Sequence, residues 1–195
     1  MIVLGLTGGI GMGKSTATTT LRRLGVRVFD ADAAVHQLQG KGGRAVRPIG
    51  EVFPGTVVDG RVDREALRRA VLGNPEAMKR LEAIVWPLVR MEERRFLDRA
   101  RRDGQRIVAL DIPLLFETRG EGRVDRVLVV SAPASVQRIR VLRRPGMTEE
   151  RLASIRARQM PDREKRRRAD HVVFTGLSRR FAQAAIHRLV RSLLK

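Results

Sequence analysis

Short apolar runs alternate with amphipathic segments along most of the chain. The runs have the length of buried strands and occupy residues 2–6, 26–29, 107–110, 126–130 and 172–174. Segments with helical periodicity separate most of these runs, which is typical of strands that pair in parallel within one sheet. The pattern therefore predicts a three-layer α/β fold, in which helices cover both faces of a parallel five-stranded sheet.

The interval between the second and third runs, residues 30–106, is much longer than a single crossover helix requires. It contains turn signals at Pro54-Gly55 and Asp59-Gly60, and helical patterns at 31–38, 64–72, 75–85 and 88–102. We interpret residues from about 33 to 103 as a helical insertion that recruits a substrate. The remaining core, about 1–32 and 104–195, includes a second and very basic insertion at about 137–169. The whole chain then forms one domain of 195 residues.

A glycine-rich loop follows the first apolar run. Residues Gly8 to Ser15 match G-x-x-x-x-G-K-[ST] at every fixed position, between the strand pattern at 2–6 and a helix-compatible segment at 16–24. Glycines let successive backbone N–H groups turn inward around phosphates, and the helix start adds its positive dipole end. We expect Lys14 to reach the β- and γ-phosphates of a nucleotide and the Ser15 hydroxyl to bind Mg²⁺. Because the chain has no Asn-Lys-x-Asp sequence, which is expected of a GTPase, ATP is the favoured nucleotide.

Two aspartates follow the second apolar run, in the sequence Asp30-Ala31-Asp32. Carboxylates two residues apart project to the same side while the chain stays extended, and ligands bind beyond the carboxyl ends of strands in open α/β sheets. Asp32 can accept a proton there from an attacking hydroxyl group. An equally good interpretation is that Asp32 caps the N-terminus of a helix that begins at Ala33.

Asp111 closes the third apolar run, residues 107–110. An apolar strand that ends in Asp is the arrangement with which many nucleotide-binding proteins hold Mg²⁺, so Asp111 joins Ser15 as a candidate metal ligand. The segment that follows, residues 112–117, is too apolar for an exposed loop. Asp63 immediately precedes a helical pattern, and we predict that it is a structural N-cap.

Three arginines, Arg140, Arg143 and Arg144, are spaced so that a helix would present them on one side. In a kinase that acts on nucleotides or nucleosides, mobile arginines neutralise charge on the transferring phosphoryl group when a lid closes. A solvated basic helix is the alternative interpretation of the same spacing.

The composition narrows the range of functions. The 40 Lys and Arg residues outnumber the 21 Asp and Glu residues, so the net charge is +19. Such a charge suits polyanions, but six Phe, one Trp and no Tyr offer little surface for stacking bases, and we predict no specific nucleic-acid partner. The absence of Cys excludes disulfides, thiol catalysis and cysteine-bound metals. No signal-peptide pattern or apolar run of membrane-spanning length occurs, so we expect a cytoplasmic protein with no membrane partner.

Several motifs together resemble the dephospho-CoA kinase family. In chain order they are Leu6-Thr7-Gly8-Gly9-Ile10-Gly11, Asp30-Ala31-Asp32, Pro113-Leu114-Leu115-Phe116-Glu117, Gln159-Met160-Pro161 and Ala169-Asp170. The resemblance extends over nearly the whole chain. Two places differ from the family: Trp86 stands where His is common, and residues 172–176 replace a turn that usually contains Asn.

The resemblance implies transfer of the γ-phosphoryl group of ATP to the ribose 3′-hydroxyl of dephospho-CoA, the last step of coenzyme A biosynthesis. It also implies a P-loop kinase fold in which the first insertion binds the substrate and the second is a lid. Carried over by position, Asp32 is the catalytic base, Arg140 and Arg144 are lid arginines, and the ATP loop comprises Gly11, Met12, Gly13, Lys14, Ser15 and Thr16. A kinase for another small nucleotide or nucleoside, and a P-loop ATPase that binds nucleic acid, are the alternatives.

Overall fold

The computed structural model describes all 195 residues, Met1 to Lys195. Along the chain its elements are β1 (Ile2–Thr7), α1 (Lys14–Arg23), β2 (Arg27–Asp30), α2 (Ala31–Gln39), α3 (Val46–Val52), β3 (Val57–Val58), β4 (Arg61–Val62), α4 (Arg64–Val71), α5 (Pro75–Arg102), β5 (Ile107–Asp111), β6 (Arg126–Ser131), α6 (Ala134–Leu142), α7 (Glu149–Ala157), α8 (Asp162–Arg168), β7 (His171–Phe174) and α9 (Arg179–Leu193), with a 3₁₀ turn at Glu121–Arg123. The chain divides into two compact units. The first comprises Met1–Phe29 and Ala100–Lys195, and the second comprises Asp30–Arg99.

The first unit is built on a five-stranded sheet with the strand order β2-β5-β1-β6-β7. The central strand β1 pairs in parallel with both β5 and β6, and β6 pairs in parallel with β7. The predicted parallel five-stranded sheet is therefore confirmed, and each of the five apolar runs forms one of its strands. Because the strand order reverses direction at β1, the loop after β1 lies where open α/β sheets bind their ligands.

Apolar side chains on both faces of β1 explain why its sequence is apolar at nearly every position. On one face, Leu4 belongs to a buried cluster that includes Leu21 of α1 and Ile186 of α9. On the other face, a Cβ atom added at Gly5 would lie 3.0 Å from the Leu115 side chain, in the segment after β5. Full burial of one such aliphatic side chain contributes about 1.5–3 kcal/mol, and the central strands are buried along most of their length.

Two aspartates hold the beginnings of neighbouring strands. Asp125 precedes β6, and its Oδ2 accepts a hydrogen bond of 2.7 Å from Val3 N of β1. Asp170 precedes β7, and its Oδ2 accepts a hydrogen bond of 2.7 Å from Val127 N of β6. Each carboxylate thus pairs a backbone donor at a strand start, where the sheet ladder has not yet begun.

The second unit contains all but the last three residues of the long helix α5, which runs for 28 residues through Pro87. The helical pattern predicted two helices, 75–85 and 88–102, and that prediction is wrong. Pro87 lacks a backbone N–H and removes one hydrogen bond to the carbonyl four residues earlier. Apolar residues on both sides of it, including Leu81, Val85 and Leu88, pack into the same cluster, and this packing keeps the helix continuous.

A hairpin of β3 and β4 turns at Asp59 and Gly60. Both residues are left-handed, with φ of 50° and 72°, which matches the right-handed twist of a two-residue hairpin and confirms the predicted turn. The N-cap predicted at Asp63 is also confirmed, because its Oδ1 accepts hydrogen bonds from Glu65 N at 2.9 Å and Ala66 N at 3.1 Å. The unit has its own apolar core, which includes Leu38, Ala45, Val46, Ile49, Phe53, Val62, Leu67, Val71, Ala77 and Val85. None of the helices in either unit combines the length and the apolar composition that a membrane span requires.

Candidate active site

The loop after β1, residues 8–13, leads directly into α1 and is called the phosphate loop below. Gly11 and Gly13 have φ of 72° and 91°, a left-handed conformation that strains any residue with a Cβ atom. Gly13 is the N-cap of α1 and has no side chain, so the first N–H groups of the helix remain directed toward the loop. The local geometry is that of a backbone anion site, as the motif predicts.

Lys14, the first residue of α1, forms an ion pair with Asp111, the last residue of β5. Lys14 Nζ lies 2.5 Å from Asp111 Oδ1, and the side chain of Asp111 is only 5% exposed. Thr18 Oγ1 donates a hydrogen bond of 2.7 Å to the other carboxylate oxygen. The sheet therefore brings two of the predicted site residues together, because β5 and β1 are adjacent and parallel. Ser15 and Thr16 lie in the first turn of α1, and Ser15 is exposed.

Three successive carbonyl groups of the phosphate loop accept hydrogen bonds from side chains outside it. Gln137 Nε2 donates to Ile10 O at 2.8 Å, Arg140 Nη1 to Gly11 O at 3.4 Å, and Thr175 Oγ1 to Met12 O at 2.7 Å. Arg140 Nη2 also donates to the carbonyl oxygen of Thr175 at 2.6 Å. The guanidinium group of Arg140 is thus held between the loop and the residues after β7.

The helix that carries Arg140 ends at Leu142, before the other two arginines of the predicted cluster. Arg140 lies in the last turn of α6, but Arg143 is the C-cap and Arg144 follows the helix. The prediction of one helical face for all three is therefore wrong. Pro145 disfavours helical backbone at the residue before it, and Gly146 follows with φ of 72°. Arg144 and Arg143 are exposed.

Asp30, not Asp32, caps α2. The helix begins at Ala31, and Asp30 Oδ1 accepts a hydrogen bond of 2.9 Å from Ala33 N. The interpretation of Asp32 as an N-cap is wrong, and so is the expectation that the chain stays extended through both carboxylates. The turn into the helix comes directly after β2, so Asp32 lies in the first turn of α2 with an exposed side chain.

A cavity of about 470 Å³ adjoins the phosphate loop within the first unit. Gly9 and Met12 line it from the loop, and Gln137 lines it from α6. Arg156 lines it from α7, and Gln159 lines it from the segment directly after α7. Gln159 Oε1 also accepts a hydrogen bond of 3.0 Å from Ile10 N. The basic segment 137–169 is therefore in direct contact with the loop.

Comparison with known proteins decides which kinase family shares these features. The family model for CoaE, dephospho-CoA kinase, matches residues 2–177. The chain belongs to the dephospho-CoA kinase family. A dephospho-CoA kinase of Mesorhizobium japonicum is 56% identical over 193 residues, covering 99% of this chain and 97% of the relative. The resemblance seen in the motifs is confirmed, and with it the prediction of an ATP-dependent kinase that phosphorylates dephospho-CoA in coenzyme A biosynthesis.

Two solved structures share the fold of this chain. A crystal structure from Thermus thermophilus has a TM-score of 0.87 and 38% identity, and the alignment covers 100% of this chain and 98% of that one. A dephospho-CoA kinase from Campylobacter jejuni has a TM-score of 0.68 and 20% identity over 98% of this chain and 96% of its own. The second likeness shows the shared fold, that of P-loop kinases.

Three residues that contact the phosphate loop were not singled out by the sequence as site residues: Gln137, Gln159 and Thr175. Gln159 belongs to a family motif, Gln159-Met160-Pro161, so a signal for it existed. Thr175 lies in the segment that departs from the family pattern, and nothing local indicates that its hydroxyl reaches Met12 O. Gln137 is one of many polar residues on an amphipathic helix.

Proposed function

We propose that this dephospho-CoA kinase transfers the γ-phosphoryl group of ATP to the ribose 3′-hydroxyl of its substrate, giving coenzyme A and ADP. The observation that carries the proposal is the Lys14 and Asp111 pair beside a loop with left-handed glycines at 11 and 13. Residues Gly11 to Thr16 bind the ATP phosphates, through backbone N–H groups and the start of α1. Lys14 places a positive charge where negative charge accumulates during transfer.

Ser15 and Asp111 would hold Mg²⁺. Both provide oxygen donors, which Mg²⁺ prefers, and Asp111 Oδ1 lies 2.5 Å from Nζ of Lys14, the residue before Ser15. A site with few protein ligands fits Mg²⁺, because this ion usually completes its coordination with water and substrate phosphates. When bound, Mg²⁺ neutralises charge on the phosphate oxygens.

Asp32 acts as the general base in this proposal. Its carboxylate lies in the first turn of α2, where the positive end of the helix dipole favours negative charge. The Asp30 cap fixes the start of that helix and so restricts the direction from which Asp32 is presented. Asp32 would orient the 3′-hydroxyl and accept its proton as the new P–O bond forms.

The two units supply the substrate site and the lid. We assign dephospho-CoA binding to the helical insertion, where Gln39, Arg61, Asp63 and Arg64 line a cavity of about 440 Å³. Arginine side chains suit the phosphate groups of this substrate. The basic segment 137–169 acts as the lid, with Arg140 held at the phosphate loop and the exposed Arg144 available to neutralise the transferring phosphoryl group.

A product-forming assay tests the proposal. ADP release is measured with dephospho-CoA, AMP, CMP and adenosine as acceptors, and ³¹P NMR of the product locates the new phosphate. We expect a clear preference for dephospho-CoA and a phosphomonoester at the 3′ position. A preference for any other acceptor, or a phosphate at another hydroxyl, overturns the proposal.

A further inference from the structure

A buried ion pair in the first unit has no role in the chemistry proposed above. Lys165 of α8 is completely buried, and its Nζ lies 2.7 Å from Oε1 of Glu117, whose side chain is 16% exposed. The ammonium makes a charge contact with the carboxylate rather than a directed hydrogen bond. The desolvation cost of burying such a pair offsets much of its Coulombic attraction. A protein with apolar residues of similar size in their place is often equally stable. The pair therefore calls for an explanation other than stability.

Glu117 connects the pair to the backbone of the basic segment. The same Oε1 atom accepts a hydrogen bond of 2.8 Å from Met160 N. That N–H belongs to the peptide group that joins Gln159 to Met160. The carboxylate, held in place by Lys165, therefore fixes the peptide plane next to Gln159.

Gln159 continues the connection to the phosphate loop. Its Oε1 accepts from Ile10 N at 3.0 Å, while Gln137 Nε2 donates to Ile10 O at 2.8 Å. The peptide groups on both sides of Ile10 are thus held by side chains of the basic segment. Contacts run without interruption from Lys165 through Glu117, Met160 and Gln159 to Ile10.

Holding these peptide groups determines where the loop directs its donors. In a trans peptide the N–H points away from the C=O of the same plane. Fixing Ile10 N on Gln159 therefore turns the C=O of Gly9 to the opposite side, where it accepts a hydrogen bond of 3.1 Å from Met12 N. In the same way, fixing Ile10 O on Gln137 and Met12 O on Thr175 turns the N–H groups of Gly11 and Gly13 away from those side chains. Donors that are already oriented bind an anion without the entropic cost of ordering the loop.

We propose that Glu117 and Lys165 are positioning residues for ATP: their ion pair holds Gln159 against Ile10 and so preorganises the phosphate loop. The proposal rests on the ATP phosphates occupying that loop, as in the proposed function. It does not depend on the identity of the catalytic base or of the acceptor hydroxyl. Neither residue contacts the reacting atoms.

The test measures the Kd for ATP by calorimetry in the full chain. Q159M removes the contact to Ile10, and the double variant E117L/K165M replaces the ion pair with apolar residues, which avoids leaving an unpaired buried charge. We expect each to raise the Kd for ATP about tenfold, the effect of losing one or two hydrogen bonds from an ordered site. The KM for dephospho-CoA remains at the wild-type value.

A matched control changes a second ion pair that is formed by a residue of α8. Arg168 Nη2 lies 2.5 Å from Glu121 Oε1, and this ion pair also joins α8 to the segment between β5 and β6. Arg168 Nη1 contacts Met160 Sδ at 3.9 Å, so the control changes Glu121 and leaves Arg168 in place. E121L should retain the wild-type Kd for ATP, whatever it does to the melting temperature. A rise in Kd for E121L equal to that of the double variant would show a general effect of loosening α8 and overturn the proposal.

A triple variant tests whether Glu117 and Lys165 act on ATP binding through Gln159 or independently of it. Because Glu117 acts through Gln159, E117L/K165M/Q159M should bind ATP no more weakly than the weaker binder of its two parent variants. Additive losses, or a wild-type Kd for Q159M, overturn the proposal. Q159M changes one half-buried side chain and keeps the test available if the double variant does not fold. If the proposed 3′-hydroxyl chemistry failed instead, ATP binding would still respond to these variants.

Discussion

Lys14 Nζ lies 2.5 Å from Asp111 Oδ1, so the first residue of α1 is paired with the last residue of β5. We expect K14M to lower kcat about 10²- to 10³-fold, because it removes one preorganised positive group from the site of charge development. A coupled ADP-release assay measures the change. K79M is the control: Lys79 forms an exposed pair with Glu76 on α5, and its loss should leave kcat unchanged. A wild-type kcat for K14M would falsify the role of Lys14.

The carboxylate of Asp111 should set the Mg²⁺ requirement. We expect EDTA to abolish turnover and added Mg²⁺ to restore it. D111N should raise the Mg²⁺ concentration for half-maximal activity by about tenfold or more, because a neutral amide is a weaker ligand for a hard cation. D103N removes an exposed acid of the same unit, which pairs with Arg27, and should titrate like the wild type. The same Mg²⁺ midpoint in D111N and the wild type would exclude Asp111 as a ligand.

Asp32 and Asp30 form a matched pair for testing the general base. D32N should lower kcat by about 10²- to 10⁴-fold, the usual contribution of a positioned base, and leave the Kd for ATP unchanged. D30N should keep its turnover, since Asn caps helices as well as Asp and can accept the hydrogen bond from Ala33 N. Single-turnover kinetics and calorimetry separate the two effects. The assignment fails if D30N loses turnover and D32N does not.

Asp170 should matter for stability and not for catalysis. Its carboxylate accepts the N–H of Val127 at the start of β6, a charge-assisted bond in a partly buried position. D170A should lower the free energy of unfolding by about 1.5–3 kcal/mol, measured by urea denaturation. D103A loses only an exposed ion pair and should change stability by about 1 kcal/mol or less. A large rise in KM for ATP in D170A, with normal stability, would contradict this structural role.

Much of the fold follows from the sequence because its determinants are local. Each strand of the sheet coincides with a short apolar run. The three central strands are buried along most of their length and need apolar residues at successive positions. The edge strands β2 and β7 are partly exposed and are apolar at their two middle positions. The hairpin at Asp59-Gly60 and the cap at Asp63 are likewise local, because each depends on a few consecutive residues. The glycine pattern from Gly8 to Lys14 predicts the loop for the same reason.

Other features depend on a choice between two local structures that the sequence alone does not decide. Asp30 and Asp32 are both good N-caps, and the choice falls on Asp30 because β2 ends there and α2 begins directly afterwards. Pro87 predicts a helix break, but the apolar face of α5 packs continuously into the core of the second unit. At the start of α2, tertiary structure selects between two caps of similar free energy. In α5, apolar packing offsets the roughly 3 kcal/mol that a Pro costs in a helix interior.

The sequence by itself determined the family, the order of the strands along the chain and the loop that receives the phosphates. Only the tertiary structure decided what surrounds that loop. Ile10 meets Gln137 and Gln159, and Met12 meets Thr175, across separations of more than a hundred residues. Such contacts leave no periodic or local pattern, because they arise where β1, β6 and β7 bring their carboxyl ends to one edge of the sheet.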